Sequence, residues 1–362
     1  MTENIIKKDE QAVFSLRRLY RKFGYARYKM SRFEEYDLYV RNKDFLVSDE
    51  VITFTDHTGR LLALKPDVTL SIIKNTVDRP DTVQKVYYNE NVYRVAKGTH
   101  SFKEIMQAGL ECIGDLGTYE IAEVLMLARE SLALIGEEYV LELSHMGLVS
   151  AILEESGLSE EQQSRALSYI HQKSAHELRG LEINEKTLAK LTALIECCGT
   201  PAETLAKLKP YLTGEREKKA FEEFGGLCAL LEKGGHLRVD FSVGNDLKYY
   251  SGVVFKGYIE GIPAGVLSGG QYDKLLQKMG RKSGAIGFAV YLDLLETREE
   301  AEYDVDTVLL HDAGADPIGL VDAAEQLSEE GTLLVVRTLP EQVRPRRLLR
   351  YTERGIEPVE NG

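Results

Sequence analysis

From His236 to Leu275 the chain reads HLRVDFSVGNDLKYYSGVVFKGYIEGIPAGVLSGGQYDKL, and this stretch decides how the rest is read. Leu237, Val239 and Phe241 fall on one face; Tyr249–Tyr250 and Val253–Val254–Phe255 follow. Alternation of this kind predicts strands buried on one face. Gly261–Ile262–Pro263 predicts a turn between strands. Ser268–Gly269–Gly270–Gln271–Tyr272–Asp273 reads as a Gly-Gly turn before a helix starting near Lys274. Backbone N–H groups bared there can hold a carboxylate or phosphate, although the pattern by itself reads first as a plain loop.

Composition sets the class. The chain has 362 residues, 43% hydrophobic and 28% charged, which suits two or three globular domains. No apolar run reaches the ~20 residues a membrane span needs. The polar, lysine-containing start Met1–Asp9 lacks the apolar region of a signal peptide. Cys112, Cys197, Cys198 and Cys228 form no C-x-x-C and no zinc spacing with histidine, so no metal is expected and a reduced, cytoplasmic setting is. The seven histidines, His171 and His176 among them, show no ligand spacing and read as surface or filling. A net charge of −13 points away from nucleic acid, because phosphate contacts call for a basic surface.

Outward from the opening stretch, Asp9–Phe23 places Val13, Leu16, Leu19, Tyr20 and Phe23 on one helical face, and Gly24 ends it. Val51–Phe54 and Leu61–Leu64 predict a hairpin, Leu70–Asn75 a helix, and Val83–Tyr88, Val92–Val95 and Phe102–Ile113 strands. Tyr119–Ile135 predicts an amphipathic helix and Tyr139–Ser144 a strand, an order that suggests an antiparallel α+β domain. Ser159–Lys233, rich in Leu, Ala, Glu and Lys, reads as an all-helical insertion, with Glu215–Lys219 a solvated charge run. Ser283–Leu295 predicts a strand leading into a helix. After a linker at Glu299–Tyr303, Val305–Leu310, Pro317–Leu327, Thr332–Val336 and Glu341–Tyr351 predict β-α-β-α, the last helix carrying the arginines of Arg344–Arg350.

Four separated motifs then carry a resemblance. Asp246–Leu247–Lys248–Tyr249–Tyr250–Ser251–Gly252 with Gly269–Gly270–Gln271–Tyr272–Asp273 resembles the histidine-specific segment of histidyl-tRNA synthetases, Arg-Gly-Leu-Asp-Tyr-Tyr followed by Gly-Gly-Arg-Tyr-Asp. The two tyrosines are kept; the arginines are Asn245 and Gln271 here, and the aspartate is Lys248. Leu64–Lys65–Pro66–Asp67–Val68–Thr69 is similar to the synthetase Leu-Arg-Pro-Glu-Gly-Thr, whose acidic residue and threonine hold the amino group of histidine. A carboxylate and a hydroxyl are acceptors suited to an ammonium. Asp67 also reads as a cap for the next helix.

Asn91–Arg94 with Lys103–Glu111 resembles motif 2 of class II synthetases. The resemblance implies that Arg94 stands where the family's arginine meets the α-phosphate and the histidine carboxylate, and that Gln107 and Glu111 line the histidine pocket. Period 2 puts residues 107, 109 and 111 on one strand face, and Gly109 leaves room there for a ligand. The loop Ala96–Ser101 lacks the family's second, ATP-gripping arginine. Ala285–Leu295 looks like Gly-Phe-Ala-x-Gly-Leu-Glu-Arg-Leu, with Tyr291 for the glycine that opens the adenine site and Leu294 for the arginine that clamps phosphate. Leucine offers phosphate no guanidinium fork, and activation of an amino acid requires its pyrophosphate charge to be held.

A histidyl-tRNA synthetase-like body that keeps histidine-site residues and loses ATP-site residues resembles the regulatory subunits of ATP phosphoribosyltransferase. The fold implied is α+β, a class II aminoacyl-tRNA synthetase-like antiparallel sheet flanked by helices. Residues 1–298 would form the core, with the helical insertion at about 158–235, and residues 303–362 a small truncated α/β remnant. The family implies a role in histidine biosynthesis without catalysis or cofactor: a homodimer within a hetero-octamer, supporting a short catalytic subunit and conferring feedback inhibition by histidine. The expected histidine-binding set is Asp67, Thr69, Arg94, Gln107, Glu111, Tyr249 and Tyr250. The alternatives are a divergent histidyl-tRNA synthetase and a synthetase-like RNA-binding module.

Overall fold

The structure is a computed structural model that describes residues 8–43, 46, 51–79, 81–95, 101–244, 249–295 and 303–359. The chain divides into a large compact unit, Lys8–Glu296, and a small one whose described residues are 303–359.

The large unit opens with helix α1 (Lys8–Lys22), strands β1 (Ala26–Arg27) and β2 (Phe33–Glu35), helix α2 (Tyr36–Arg41), the hairpin of β3 (Thr53–Thr55) and β4 (Leu61–Leu64), and helix α3 (Thr69–Asn75). Two long strands follow, β5 (Val83–Val95) and β6 (Phe102–Gly114), then α4 (Thr118–Ile135), β7 (Tyr139–His145) and α5 (Met146–Glu155). Helices α6 (Glu160–His171), α7 (Glu185–Glu196), α8 (Pro201–Leu208) and α9 (Glu215–Leu231) lead to β8 (Leu237–Val239). The unit closes with β9 (Val253–Ile259), β10 (Leu267–Gln271), α10 (Asp273–Lys278), β11 (Gly284–Tyr291) and a 3-10 turn, Leu292–Leu295.

Eight strands form one sheet in the order β1-β5-β6-β11-β10-β9-β7-β8. The six inner strands run antiparallel to their neighbours; β1 and β8 at the rims pair in parallel with β5 and β7, so the expected antiparallel sheet is mixed at its edges. Period 2 splits each strand between two faces. Tyr87 of β5, Leu110 and Cys112 of β6, and Ile286 and Phe288 of β11 enter the main core with Leu16 and Tyr20 of α1 and Val124, Leu127 and Ala128 of α4. The apolar spacing of α1, with Ala12, Val13, Leu16 and Tyr20 buried, is what seats it there. The alternate residues Tyr88, Val92, Ile113 and Ala285 face a second core with α3 and α10. That second face carries the site.

The Gly-Gly turn expected at residues 269–270 is instead strand β10. The two glycines serve close packing, not a turn. A side chain at Gly269 would collide with the Gly287 carbonyl and with Phe288 and Phe255, and one at Gly270 with the ring of Tyr250, 2.7 Å away. No anion cradle of bared amides therefore exists at this point.

The small unit contains β12 (Val305–His311), α11 (Pro317–Ser328), β13 (Leu333–Val336), β14 (Pro345–Thr352) and β15 (Gly355–Pro358), ordered β13-β12-β14-β15 in its sheet. The helix expected at Glu341–Tyr351 is therefore corrected: Pro345–Thr352 is a strand, parallel to β12. Its arginines are held by acids and hydroxyls beside them, Arg347 by Glu330 at 2.9 Å and by Thr307 at 2.7 Å, and Arg350 by Asp312 at 3.2 Å. Pairing with a central strand overrides the helix preference of arginine.

The charge run Glu215–Lys219 is also corrected. Glu217 is fully buried; it pairs with Lys190 of α7 and accepts from the amides of Thr213 and Gly214 at 2.8 and 2.9 Å. Among the described residues no helix is long and apolar enough to cross a membrane, and no group of three or more His, Cys, Asp or Glu is arranged to hold a metal. All four cysteines are free.

Candidate functional site

The second face of the large sheet is hollowed by a cavity of about 460 Å³, within the range of small-molecule sites. Asp67, Thr69, Arg94, Gln107, Glu111, Tyr249 and Tyr250 all line it. Strand parity explains part of this: Gln107 and Glu111 leave β6 on the same side, opposite Tyr291 and Gly287 of β11. Gly287 is obligatory, since any side chain there would overlap Oε2 of Glu111. Gly109 is not room for a ligand, as the sequence suggested. The phenol of Tyr88, its partner on β5, covers it.

Glu111 is the chemical centre. The hydroxyl of Thr69 donates to its Oε1 at 2.7 Å, and that of Tyr272 donates to Oε2. Burial pushes Glu111 up to about 8, against the pull of those two hydroxyls. Below that pH the carboxyl holds a proton.

Asp67 caps α3, as expected, and sits at the cavity. Its Oδ1 accepts from the amide of Leu70 at 2.8 Å, in the first turn of that helix. Burial raises its pKa, while the Leu70 amide and the Arg94 charge lower it. Arg94 Nε donates to the Pro66 carbonyl at 3.1 Å, and the Tyr93 amide donates to the Lys65 carbonyl at 2.9 Å, so β5 holds the Lys65–Thr69 segment in place. Lys65, buried, forms an ion pair with Glu90 at 2.6 Å. The cavity thus presents buried acceptors at one place and the Arg94 guanidinium nearby.

The tyrosines form the remaining wall. Tyr249 and Tyr250 meet edge to face, ring centroids 4.6 Å apart, and Tyr249 lies 5.9 Å from Tyr272. Burial raises the phenols of Tyr88, Tyr249 and Tyr272 well above their ordinary value, so each remains a neutral donor. Ser251 donates to Asp273 at 3.0 Å and Asp273 accepts from the Ala285 amide at 2.8 Å, which pins the tyrosine segment to β11. Gln271, where the related motif has arginine, points its Oε1 at the Val253 amide, 2.9 Å away, and stitches β10 to β9.

Tyr291 lines the cavity, its hydroxyl 2.8 Å from that of Ser268. Leu294 packs against the main core. Asn245, Lys248 and residues 96–100 lie outside the described residues. Tyr88, Tyr272, Lys256 and His171 also line the cavity, outside the expected histidine-binding set, and His171 is therefore more than the surface or filling residue its lack of ligand spacing suggests. Tyr272 was legible as part of the Gly-Gly-Gln-Tyr-Asp motif; His171 carried no local signal.

Residues 2–295 match the histidyl-tRNA synthetase family. An ATP phosphoribosyltransferase regulatory subunit from Clostridium kluyveri is 30% identical over 302 residues, covering 79% of this chain and 77% of that protein. An ATP phosphoribosyltransferase regulatory subunit/histidyl-tRNA synthetase from Bacillus halodurans superposes with a TM-score of 0.71 at 23% identity, over 91% of this chain and 88% of the other. A chain of an ATP phosphoribosyl transferase complex from Thermotoga maritima gives 0.62 at 21% identity, over 78% and 97%. By these matches the chain belongs to the histidyl-tRNA synthetase family and, within it, to the ATP phosphoribosyltransferase regulatory subunits, which are regulatory and not catalytic chains.

Proposed function

We propose that this chain works in histidine biosynthesis by supporting a short ATP phosphoribosyltransferase catalytic subunit and by sensing free histidine in the cavity of the large unit. The observation that carries the reading is the convergence on one cavity of acceptors for an ammonium, a cation for a carboxylate and neutral hydrogen-bonding groups for an imidazole. Asp67 and Thr69 would meet the amino group, Arg94 the carboxylate, and Gln107, Glu111 and the tyrosines the ring. At Leu294 an apolar side chain stands where the family holds phosphate, which agrees with binding an amino acid without activating it. In this reading the chain is a cytoplasmic homodimer within a hetero-octamer, takes no cofactor, and has no call for nucleic acid.

Reconstitution with a short catalytic chain tests it. The expected result is transferase activity that depends on this chain and is inhibited by histidine. Asp67→Ala is expected to leave the complex intact and remove the inhibition. A catalytic chain indifferent to this one would overturn the reading.

A further inference from the structure

The stretch Val239–Gly244 runs from β8 into the pocket wall, where Val243 and Gly244 line the cavity. Three residues of the α6–α9 region grip it in succession. Gly199 exchanges two backbone hydrogen bonds with Val239, 3.2 and 2.8 Å long. Lys173 Nζ meets the buried Oδ2 of Asp240 at 2.5 Å. His171 Nδ1 lies 2.8 Å from the Ser242 carbonyl. A carbonyl only accepts, so Nδ1 carries the proton of that bond. Between these grips Asp240 shapes the turn, its Oδ1 accepting from the amide and the hydroxyl of Ser242 at 3.0 and 2.6 Å.

His171 lines the cavity itself, the one lining residue among the described residues 160–231. Lys173 adopts φ +55°, a left-handed conformation that a residue with a Cβ keeps only when its surroundings hold it there. The reversed backbone after α6 thus presents two side chains, two residues apart, to one short segment of wall.

We propose that His171 and Lys173 are positioning residues of the pocket: through them the helical segment sets the Ser242–Gly244 wall, and occupancy of the pocket is felt at the end of α6. This rests on the reading that the cavity binds histidine. Whatever holds the wall in its ligand-ready position is in turn held by the ligand, because coupling between sites is reciprocal.

Hydrogen-exchange mass spectrometry on the full chain, with and without histidine, tests the coupling alongside calorimetry on wild type, His171→Ala, His171→Asn and Lys173→Met. In wild type, histidine is expected to slow exchange in residues 102–114 and also in 160–174. His171→Ala and Lys173→Met are expected to bind about 5- to 10-fold more weakly, the loss of one hydrogen bond. Both should lose the slowing in 160–174 and retain it in 102–114. His171→Asn, whose side-chain amide replaces the Nδ1 donor, should recover wild-type affinity. Variants at two positions keep the test in hand if one fails to fold. Slowing confined to 102–114, or wild-type affinity in both His171→Ala and Lys173→Met, overturns the proposal and leaves the pocket reading standing. Absence of histidine binding in wild type overturns the pocket reading, and the proposal with it.

Discussion

The hydroxyl of Thr69 donates to Oε1 of Glu111 at 2.7 Å, joining two residues 42 positions apart, one at the start of α3 and the other inside the central sheet. With Tyr272 on the other oxygen, both acceptor atoms of a buried carboxyl are engaged before any ligand arrives. A ligand that brings an N–H to this place enters a preformed network.

The first prediction concerns that carboxyl and pH. The unfolded chain releases the Glu111 proton near 4.5, the folded chain near 8. Between those values the folded state holds the extra proton. Its contribution to stability is therefore full below about 4.5 and is lost as pH rises through 8. Urea unfolding at pH 5 and pH 8 is expected to show wild type losing more than about 1.4 kcal/mol relative to Glu111→Gln over that range. A difference between the two that does not change with pH would place Glu111 in a solvated setting.

His145 gives the opposite sign. It is buried, its Nδ1 accepts from the Leu148 amide at 3.0 Å at the start of α5, and burial lowers its pKa to about 4. Stability from its neutral form is present above the ordinary value of 6.5 and is lost as pH falls through 4. His145→Asn keeps an acceptor for the Leu148 amide and removes the titration. The variant should lose less stability than wild type between pH 6.5 and 4, followed by circular dichroism, whatever its stability at pH 7. Identical acid profiles would contradict this.

Within Glu215–Lys219 the side chains are not equivalent. Glu217→Ala removes a buried partner of Lys190 and two amide acceptors from the start of α9, so a loss of about 3–5 kcal/mol is expected. Glu215→Ala removes only the exposed pair with Lys218, and a change within about 0.5 kcal/mol is expected. Chemical denaturation of the two variants checks the contrast; equal losses would refute it.

These cases also show what the sequence displayed. The places of Asp67, Gln107 and Glu111 on one cavity were legible because strand parity and a helix start are local rules, and the resemblance marked the three together. Gly269 and Gly270 misled because glycine's freedom to turn and its lack of a side chain are written with the same letter; here the rings of Tyr250 and Phe255 and the Cβ of Phe288 needed the space. Arg344–Arg350 carried a helix preference that yielded to pairing with β12, a partner some 40 residues upstream. Glu217 looked solvated because a charge run does not reveal which member meets Lys190, 27 residues before it. His171 gave no sign at all, since the bond that brings it to the cavity wall spans 71 residues.

The most direct test of the account is titration calorimetry of histidine into the isolated chain, wild type against Glu111→Ala, with Thr69→Val as the isosteric companion. Loss of a charge-assisted or buried hydrogen bond is worth roughly 1.5–3 kcal/mol, which is roughly 10- to 150-fold in affinity. The account predicts saturable binding to wild type, weakened by at least about tenfold in Glu111→Ala and measurably in Thr69→Val. Equal histidine affinity in all three proteins would contradict it and remove the cavity from the regulation of the transferase.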